Sequence, residues 1–323
     1  MSCFKTGIVL SGVVLAAAFS IPAVAADSFP SRAVELVVPY PPGGPNDVIG
    51  RALGDEMSKA LGQPFVIRNQ PGAGGNVATA AVARAKPDGY TLVLPAMAYA
   101  VNPFIFKSVN YSDSDFVAVS MVVQGPLVLV AHPSLGVKTV KELLEAAKAE
   151  PGKIEYATGG VGTSLHLAGA LFNTQAKVDM LHVPYKGTGE AMPDLLSGRV
   201  GLMFSSPLTV NQHVQQGKLN ALGTTGTGPV PGWGQLPTIA ETVPGYEMTA
   251  WYSLMAPAGV PADVLRKLNE AVRKAQESDG FKQKMLSLGM EMMPSSPQEA
   301  EAFIKRESNK WEALVKQAGI TAG

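Results

Sequence analysis

The stretch Val34-Glu35-Leu36-Val37-Val38-Pro39-Tyr40-Pro41-Pro42-Gly43-Gly44-Pro45-Asn46-Asp47 sets the reading of the chain. Val34 to Val38 reads as a buried strand. It runs into a rigid proline- and glycine-rich loop that ends in two potential helix N-caps, Asn46 and Asp47. The following helix carries Ile49, Leu53, Met57 and Ala60 on one face, and Gly62 stops it. Phe65-Val66-Ile67 is the next strand. A second glycine loop, Gly72-Ala73-Gly74-Gly75-Asn76, opens a helix with Val77, Ala80 and Ala81 on its buried side. Pro87-Asp88-Gly89 then turns the chain into a strand from Tyr90 to Leu94. The order is β-α-β-α-β, the half-unit of a doubly wound α/β domain.

Toward the N-terminus, residues 1–25 read as a signal peptide. Lys5 supplies a positive start, Gly7 to Val24 is almost entirely apolar, and Ala23-Val24-Ala25 has the small-x-small form of a cleavage site. Pro22 and the alanine-rich exit argue against a membrane anchor, so export is expected. Cys3, the one cysteine of the sequence, lies in the segment to be removed. The mature chain then has no thiol for a disulfide, a cysteine–metal site or a cysteine nucleophile. Of 26 basic and 26 acidic residues, loss of Lys5 leaves 25 against 26, a net charge of about −1 with no basic patch; nucleic acid is not an expected partner. No later run approaches the ~18 apolar residues of a membrane span. The mature length suits two domains.

Toward the C-terminus, Gln124-Gly125-Pro126 reads as a break, followed by an apolar strand from Leu127 to Ala131. Thr139 and Glu142 form a capping box for a helix with Val140, Leu143, Leu144 and Ala147 on one face. Strands follow at Lys153–Thr158, Met180–Val183, Val200–Phe204 and Asn220–Thr224, with a short helix near Glu190–Leu196. A proline- and glycine-rich segment from Gly226 to Gly245 leads to Thr249–Met255, a strand returning the chain to the first domain. Three helical regions finish the protein. The last starts at Ser296-Pro297 and buries Ala300, Phe303, Ile304, Trp311, Leu314 and Val315.

One later stretch, Tyr156-Ala157-Thr158-Gly159-Gly160-Val161-Gly162-Thr163-Ser164-Leu165-His166, carries chemistry. A strand, a glycine turn and a helix start gather free backbone N–H groups at the positive end of a helix dipole, a generic anion site. The alternative is a tight loop whose Thr163 or Ser164 merely caps its own helix. The stretch lacks the second glycine of a G-x-S-x-G elbow, has no Gly-Lys-Ser/Thr of a phosphate loop, and does not follow G-x-G-x-x-G. Gly72–Asn76 also fails as a dinucleotide fingerprint, because Val77 stands where the third glycine would fall. No cofactor is implied. The scattered His132, His182 and His213 offer no metal site. Each candidate loop follows a strand, where ligand crevices of open α/β sheets lie.

Seven motifs in order then resemble one family. They are Val38-Pro39-Tyr40-Pro41-Pro42-Gly43-Gly44, Asn69 to Asn76, Pro87-Asp88-Gly89-Tyr90-Thr91-Leu92, Gly159 to His166, His182-Val183-Pro184-Tyr185-Lys186-Gly187, Trp251-Tyr252 and Ala256-Pro257-Ala258-Gly259. The chain is similar to the Bug family, the periplasmic solute receptors of tripartite tricarboxylate transporters. The resemblance implies two doubly wound α/β domains around a ligand cleft, the type II periplasmic binding protein architecture. Residues 26–125 and 249–323 would form one domain and residues 126–248 the other. It implies a monomer that binds a small carboxylate, with an amino acid as a possible variant, and hands it to membrane subunits. By motif, the first-domain contacts would be Tyr40, Gly43, Gly44, Asp47, Ala96 and Ala98. Those of the second would be Gly160, Val161, Gly162, Thr163, Ser164, His166, Tyr185, Lys186 and Ser205.

The family commonly has an acidic residue where this chain has Ser205. Its loss removes a partner for a ligand ammonium and lessens repulsion of a second carboxylate, which favours plain mono- or dicarboxylates. Several residues keep two readings. Asp47 is a helix cap or a holder of ligand-bridging water; Tyr40 lines the pocket or packs on the proline loop. His166 makes a structural hydrogen bond or touches ligand; Lys186 neutralises a carboxylate or only borders the cleft. Trp251 and Tyr252 read as core of the crossover. Two rival functions remain: a sensing accessory to a signalling system, and a secreted hydrolase using Ser164 with His166. Residues two apart on a helix do not face each other, which weighs against the hydrolase.

Overall fold

β1 (Val34–Val38) lies between β2 (Phe65–Asn69) and β3 (Thr91–Val93) and runs parallel to both. The computed structural model describes Met1, residues 29–230 and residues 233–321; the expected signal segment and Cys3 lie outside the described residues. α1 (Pro45–Leu61) links β1 to β2, and α2 (Asn76–Ala83) links β2 to β3. α1 ends where expected, on Gly62 at φ 71°, the left-handed turn that glycine enters without a side-chain clash. Its buried Ile49, Leu53 and Met57 pack in one core cluster with the fully buried Val34 and Leu36.

α3 (Ala98–Ile105) precedes β4 (Phe116–Pro126), an 11-residue strand. With only Leu127 between, β4 continues into β5 (Val128–Ala131) of a second sheet. There follow α4 (Val140–Ala149), β6 (Glu155–Thr158), α5 (Ser164–Ala176), β7 (Leu181–Pro184), α6 (Thr188–Leu196), β8 (Leu202–Ser205), α7 (Pro207–Gln215) and β9 (Asn220–Thr224). β10 (Thr249–Pro257) returns to the first sheet, and α8 (Ala262–Glu277), α9 (Asp279–Ser287), β11 (Glu291–Met292) and α10 (Pro297–Ala318) close the chain.

The first sheet has the order β11-β4-β10-β3-β1-β2 and the second β7-β6-β8-β5-β9. Both repeat one plan. Three parallel strands stand in the order second, first, third; an antiparallel strand from across the molecule comes next, and a further strand follows it, with the short β11 added at the edge of the first sheet. β5 is that inserted strand in the second sheet, and β10 in the first. The two sheets are thus tied by two crossings. The long antiparallel pair of β4 with β10, from Thr249 opposite Pro126 to Pro257 opposite Phe116, carries both.

Three readings change. Gln124-Gly125-Pro126 is the end of β4, paired with Thr249 to Trp251, rather than a break. Glycine is required there because a Cβ on Gly125 would stand 2.6 Å from the Gly289 carbonyl oxygen. Phe116 to Val123, unread in the sequence, is the rest of that strand. Val77 is 46% exposed, and the buried face of α2 is Ala78, Ala80 and Val82. The positive-φ glycines Gly74 and Gly75 turn the helix start, which rotates its phase. The N-cap of α1 is Gly44, so Asp47 falls in the third helical position.

Candidate functional site

Five of the six parallel strands, all but β2, deliver their following loops to one cavity of about 610 Å³. The loop after β1 contributes Tyr40 to Gly44, and Ala96 follows β3. From the second sheet come Gly159 and Thr163 after β6, Lys186 and Gly187 after β7, and Ser205 and Ser206 at the end of β8. Four helices of the described residues begin on this cavity. Their first turns place Pro45 and Asn46 of α1, Ser164 and Leu165 of α5, and Thr188 and Gly189 of α6 on its wall; α7 starts from its N-cap Ser206 there. First-turn N–H groups have no partner within a helix, and each helix start carries a partial positive charge. Negative charge is therefore favoured inside.

Two side chains from opposite walls reinforce this. Asn46 is 8% exposed and Ser205 fully buried. Both belong to the cavity lining, and Asn46 Nδ2 and Ser205 Oγ have no hydrogen-bond partner among the described residues. Buried polar atoms are nearly always bonded, and of the buried unpartnered side-chain atoms these two belong to residues of the cavity lining. The charged side chains among the lining residues are Lys186 and Glu190, both exposed and adjacent, with Glu190 Oε2 accepting the Lys186 N–H at 3.3 Å.

Asp47 does not line the cavity; it builds the loop that does. Its Oδ2 accepts from Gly43 N and Arg51 Nε, both at 3.0 Å, and its Oδ1 from Asn69 Nδ2 at 2.9 Å. Asn69 Nδ2 also reaches the Tyr40 carbonyl at 3.1 Å. Burial works to raise the Asp47 pKa, but the bonds from Arg51, Gly43 and Asn69 and the Arg51 charge outweigh it and hold the carboxyl below its usual range. Tyr40 lines the cavity while its hydroxyl donates to the Gly74 carbonyl at 3.3 Å.

In the second glycine loop the two hydroxyls part company. Thr163 is the N-cap of α5: it accepts from His166 N and donates to the Gly160 carbonyl at 2.7 Å. Its hydroxyl is thus bound up in its own loop, while Ser164 lies on the cavity wall. Gly160, Val161 and Gly162 are not among the lining residues; Gly162 is buried against Asn102, Ile105 and Phe106. Ala98 borders a separate small pocket behind Tyr40. Tyr185 also lies off the main cavity, donating its hydroxyl to Asp194 at 2.7 Å.

His166 faces the core. Its ring stacks on His182 with centroids 4.1 Å apart, and His182 stacks on Tyr156 at 5.2 Å. His166 Nδ1 accepts from Gly162 N at 3.2 Å. This arrangement holds the ring in the loop, away from Ser164, and offers no serine–histidine nucleophile. Burial, and for His166 the neighbouring His182, lowers the two pKa values to about 3 and about 4. In the unfolded chain both groups titrate near 6.5. Their contribution to stability is therefore full above that pH and is lost as the pH falls toward the folded values. Two unprotonated groups give a slope of up to roughly 2.7 kcal/mol per pH unit. Urea unfolding at pH 7, 6 and 5 should show this decline, and His182→Gln should remove about half of it. A wild-type stability that stays flat from pH 6.5 to 5 would contradict the burial of these rings.

Sequence reasoning passed over several lining residues. Asn46 lies inside the Tyr40–Asp47 loop expected to contact ligand, but the sequence singles it out only as a cap. Tyr252, read as core, is 4% exposed and also lines the cavity. Thr188 and Gly189, and the apolar Met192, Pro193 and Leu196, come from α6. The spacing of Thr188, Met192 and Leu196, four residues apart, was the available signal for a helix face turned to one place.

Comparison with known proteins agrees with this architecture. Residues 49–320 match the family described as "Tripartite tricarboxylate transporter family receptor". The chain is similar to the R. palustris protein Rpa4515 solved with adipate (34% identity, TM-score 0.86, covering 91% of this chain and 99% of that one). It is similar to the periplasmic binding protein BugD (34% identity, TM-score 0.85, 91% and 99%). It also resembles MatC of Rhodopseudomonas palustris, solved with bound malate (32% identity, TM-score 0.83, 89% and 100%). The family match covers most of the chain, and the chain belongs to the tripartite tricarboxylate transporter receptor family, as a periplasmic solute-binding protein and not an enzyme.

Proposed function

We propose that the cavity captures a small organic carboxylate of roughly four to six carbons, with one or two carboxylate groups, for delivery to the membrane subunits of a tripartite transporter. The convergence of four helix starts with two unpartnered buried donors, Asn46 Nδ2 and Ser205 Oγ, carries this reading. Adipate and malate, bound in two relatives, are ligands of this class. Residues 26–125 with 249–323 act as one lobe and residues 126–248 as the other. They close as a monomer on the ligand and so present a loaded face to the transporter.

A thermal-shift panel on protein stripped of carried-over ligand by partial unfolding and refolding tests the reading. A ligand that binds only the folded state adds ~2.7 kcal/mol at a hundredfold excess over Kd. That corresponds to a rise in Tm of roughly 4–10 °C for a chain of this length. Carboxylates should give this shift, and their uncharged amides should not. Shifts confined to sugars or polyamines would refute it.

A further inference from the structure

We infer that, within the carboxylate class, this receptor prefers a monocarboxylate with an extended apolar body, at the roughly six-carbon end of the proposed range and beyond it, its tail lying along α6. The inference rests on the carboxylate reading and adds what the far wall of the same cavity selects. α6 enters the cavity at Thr188 and Gly189 and continues along it through Met192 and Pro193 to Leu196. Eight residue steps at 1.5 Å give this wall a length of about 12 Å. It is polar only at its start. Leu165, Met192 and Leu196 rest on one core cluster around Ala191, Leu195 and Val128, and the same three side chains line the cavity. Leu127 and Tyr252 extend the apolar surface.

Charge points the same way. Lys186 stands just before α6, next to Glu190, and no Arg or His is among the lining residues. A carboxylate at the helix starts meets N–H donors, Asn46 and Ser205. A second carboxylate carried toward Leu196 would lose its water against Met192 and Leu196 with no cation to receive it, a costly transfer. An alkyl or aryl tail in that place buries apolar area instead, which is favourable in proportion to the area removed from water.

Calorimetric titration of the ligand-stripped chain with butyrate, hexanoate, octanoate, succinate, adipate and suberate tests this. The Kd should fall about three- to fourfold for each added methylene of the monocarboxylates along the wall. Octanoate should bind at least about tenfold tighter than suberate, which has the same length and a second charge. Leu196→Gln should cut the octanoate-to-butyrate affinity ratio by at least about fivefold, and Met192→Gln should act in the same direction if the first variant folds poorly. Succinate, adipate or suberate binding more tightly than octanoate overturns the inference and leaves the carboxylate reading standing. So does a chain-length ratio indifferent to both variants. A protein that binds octanamide as well as octanoate overturns both.

Discussion

Replacing Gly162 by valine is expected to destabilise the fold by roughly 2–5 kcal/mol, a fall in Tm of about 5–15 °C. Gly162 sits at φ +81°, a conformation that a β-branched residue adopts only with strain. Its added Cβ would lie 2.3 Å from Asn102 Oδ1 and 3.0 Å from Ile105 Cδ1. Asn102 is 1% exposed and cannot swing away, because its Nδ2 donates to the Gly74 carbonyl at 3.1 Å and to Asn76 Oδ1 at 2.8 Å. The contact also joins the loop after β6 to α3 beside the other sheet, so pushing it apart disturbs how the two halves meet. From the sequence, this glycine invites close approach by a ligand; in the structure the close neighbour is a side chain of the protein itself. Urea unfolding of Gly162→Val, with Gly162→Ala as the smaller step, measures the effect. Stability within about 0.5 kcal/mol of wild type for both variants would contradict this packing.

Ser205→Asp is expected to weaken carboxylate binding by at least a hundredfold near neutral pH, and dicarboxylates more than monocarboxylates. Ser205 closes β8, fully buried and opposite Val128, at the cavity wall, and its hydroxyl has no hydrogen-bond partner among the described residues. Two like charges about 4 Å apart repel by roughly 4 kcal/mol at the effective dielectric of such sites, a factor near a thousand. Burial and the incoming anion both favour the protonated acid, so binding should recover as the pH is lowered. Ser205→Ala removes one donor only and should cost about 0.5–1.5 kcal/mol. Calorimetry on the three proteins at pH 8 and pH 5.5 reads these differences. Binding by Ser205→Asp within threefold of wild type would take Ser205 out of the ligand's reach, as would a larger loss for monocarboxylates than for dicarboxylates.

Much of the architecture was legible because local signals agreed. The β1 strand, the glycine stop of α1 at Gly62 and the Thr139 and Ser296 caps all stand where their residue types place them. The long β4 strand was not legible. Gln124-Gly125-Pro126 has turn composition, and its place in a sheet depends on pairing with residues more than a hundred positions later. The site was legible as a set of loops after strands. Tyr40, Gly43, Gly44, Ala96, Thr163, Ser164, Lys186 and Ser205 meet at one cavity. What periodicity could not show is which neighbour each residue faces. Asp47 turns back to Gly43 and Arg51, His166 to His182, and Tyr185 to Asp194. Asn46 sits in a loop the sequence marks for ligand contact, but its distinguishing feature, an amide nitrogen with no partner among the described residues, is visible only in the three-dimensional surroundings.

The most direct test of the central claim is calorimetric titration of the ligand-stripped protein with matched acid and amide pairs of four to six carbons. The amide keeps the shape and removes the charge, so the pair isolates what the helix starts of α1, α5, α6 and α7 contribute. A saturable one-to-one isotherm for one or more of the acids, with no measurable heat from the corresponding amides, is the predicted result. Equal binding of an acid and its amide, or no binding of any acid up to millimolar concentration, would contradict it.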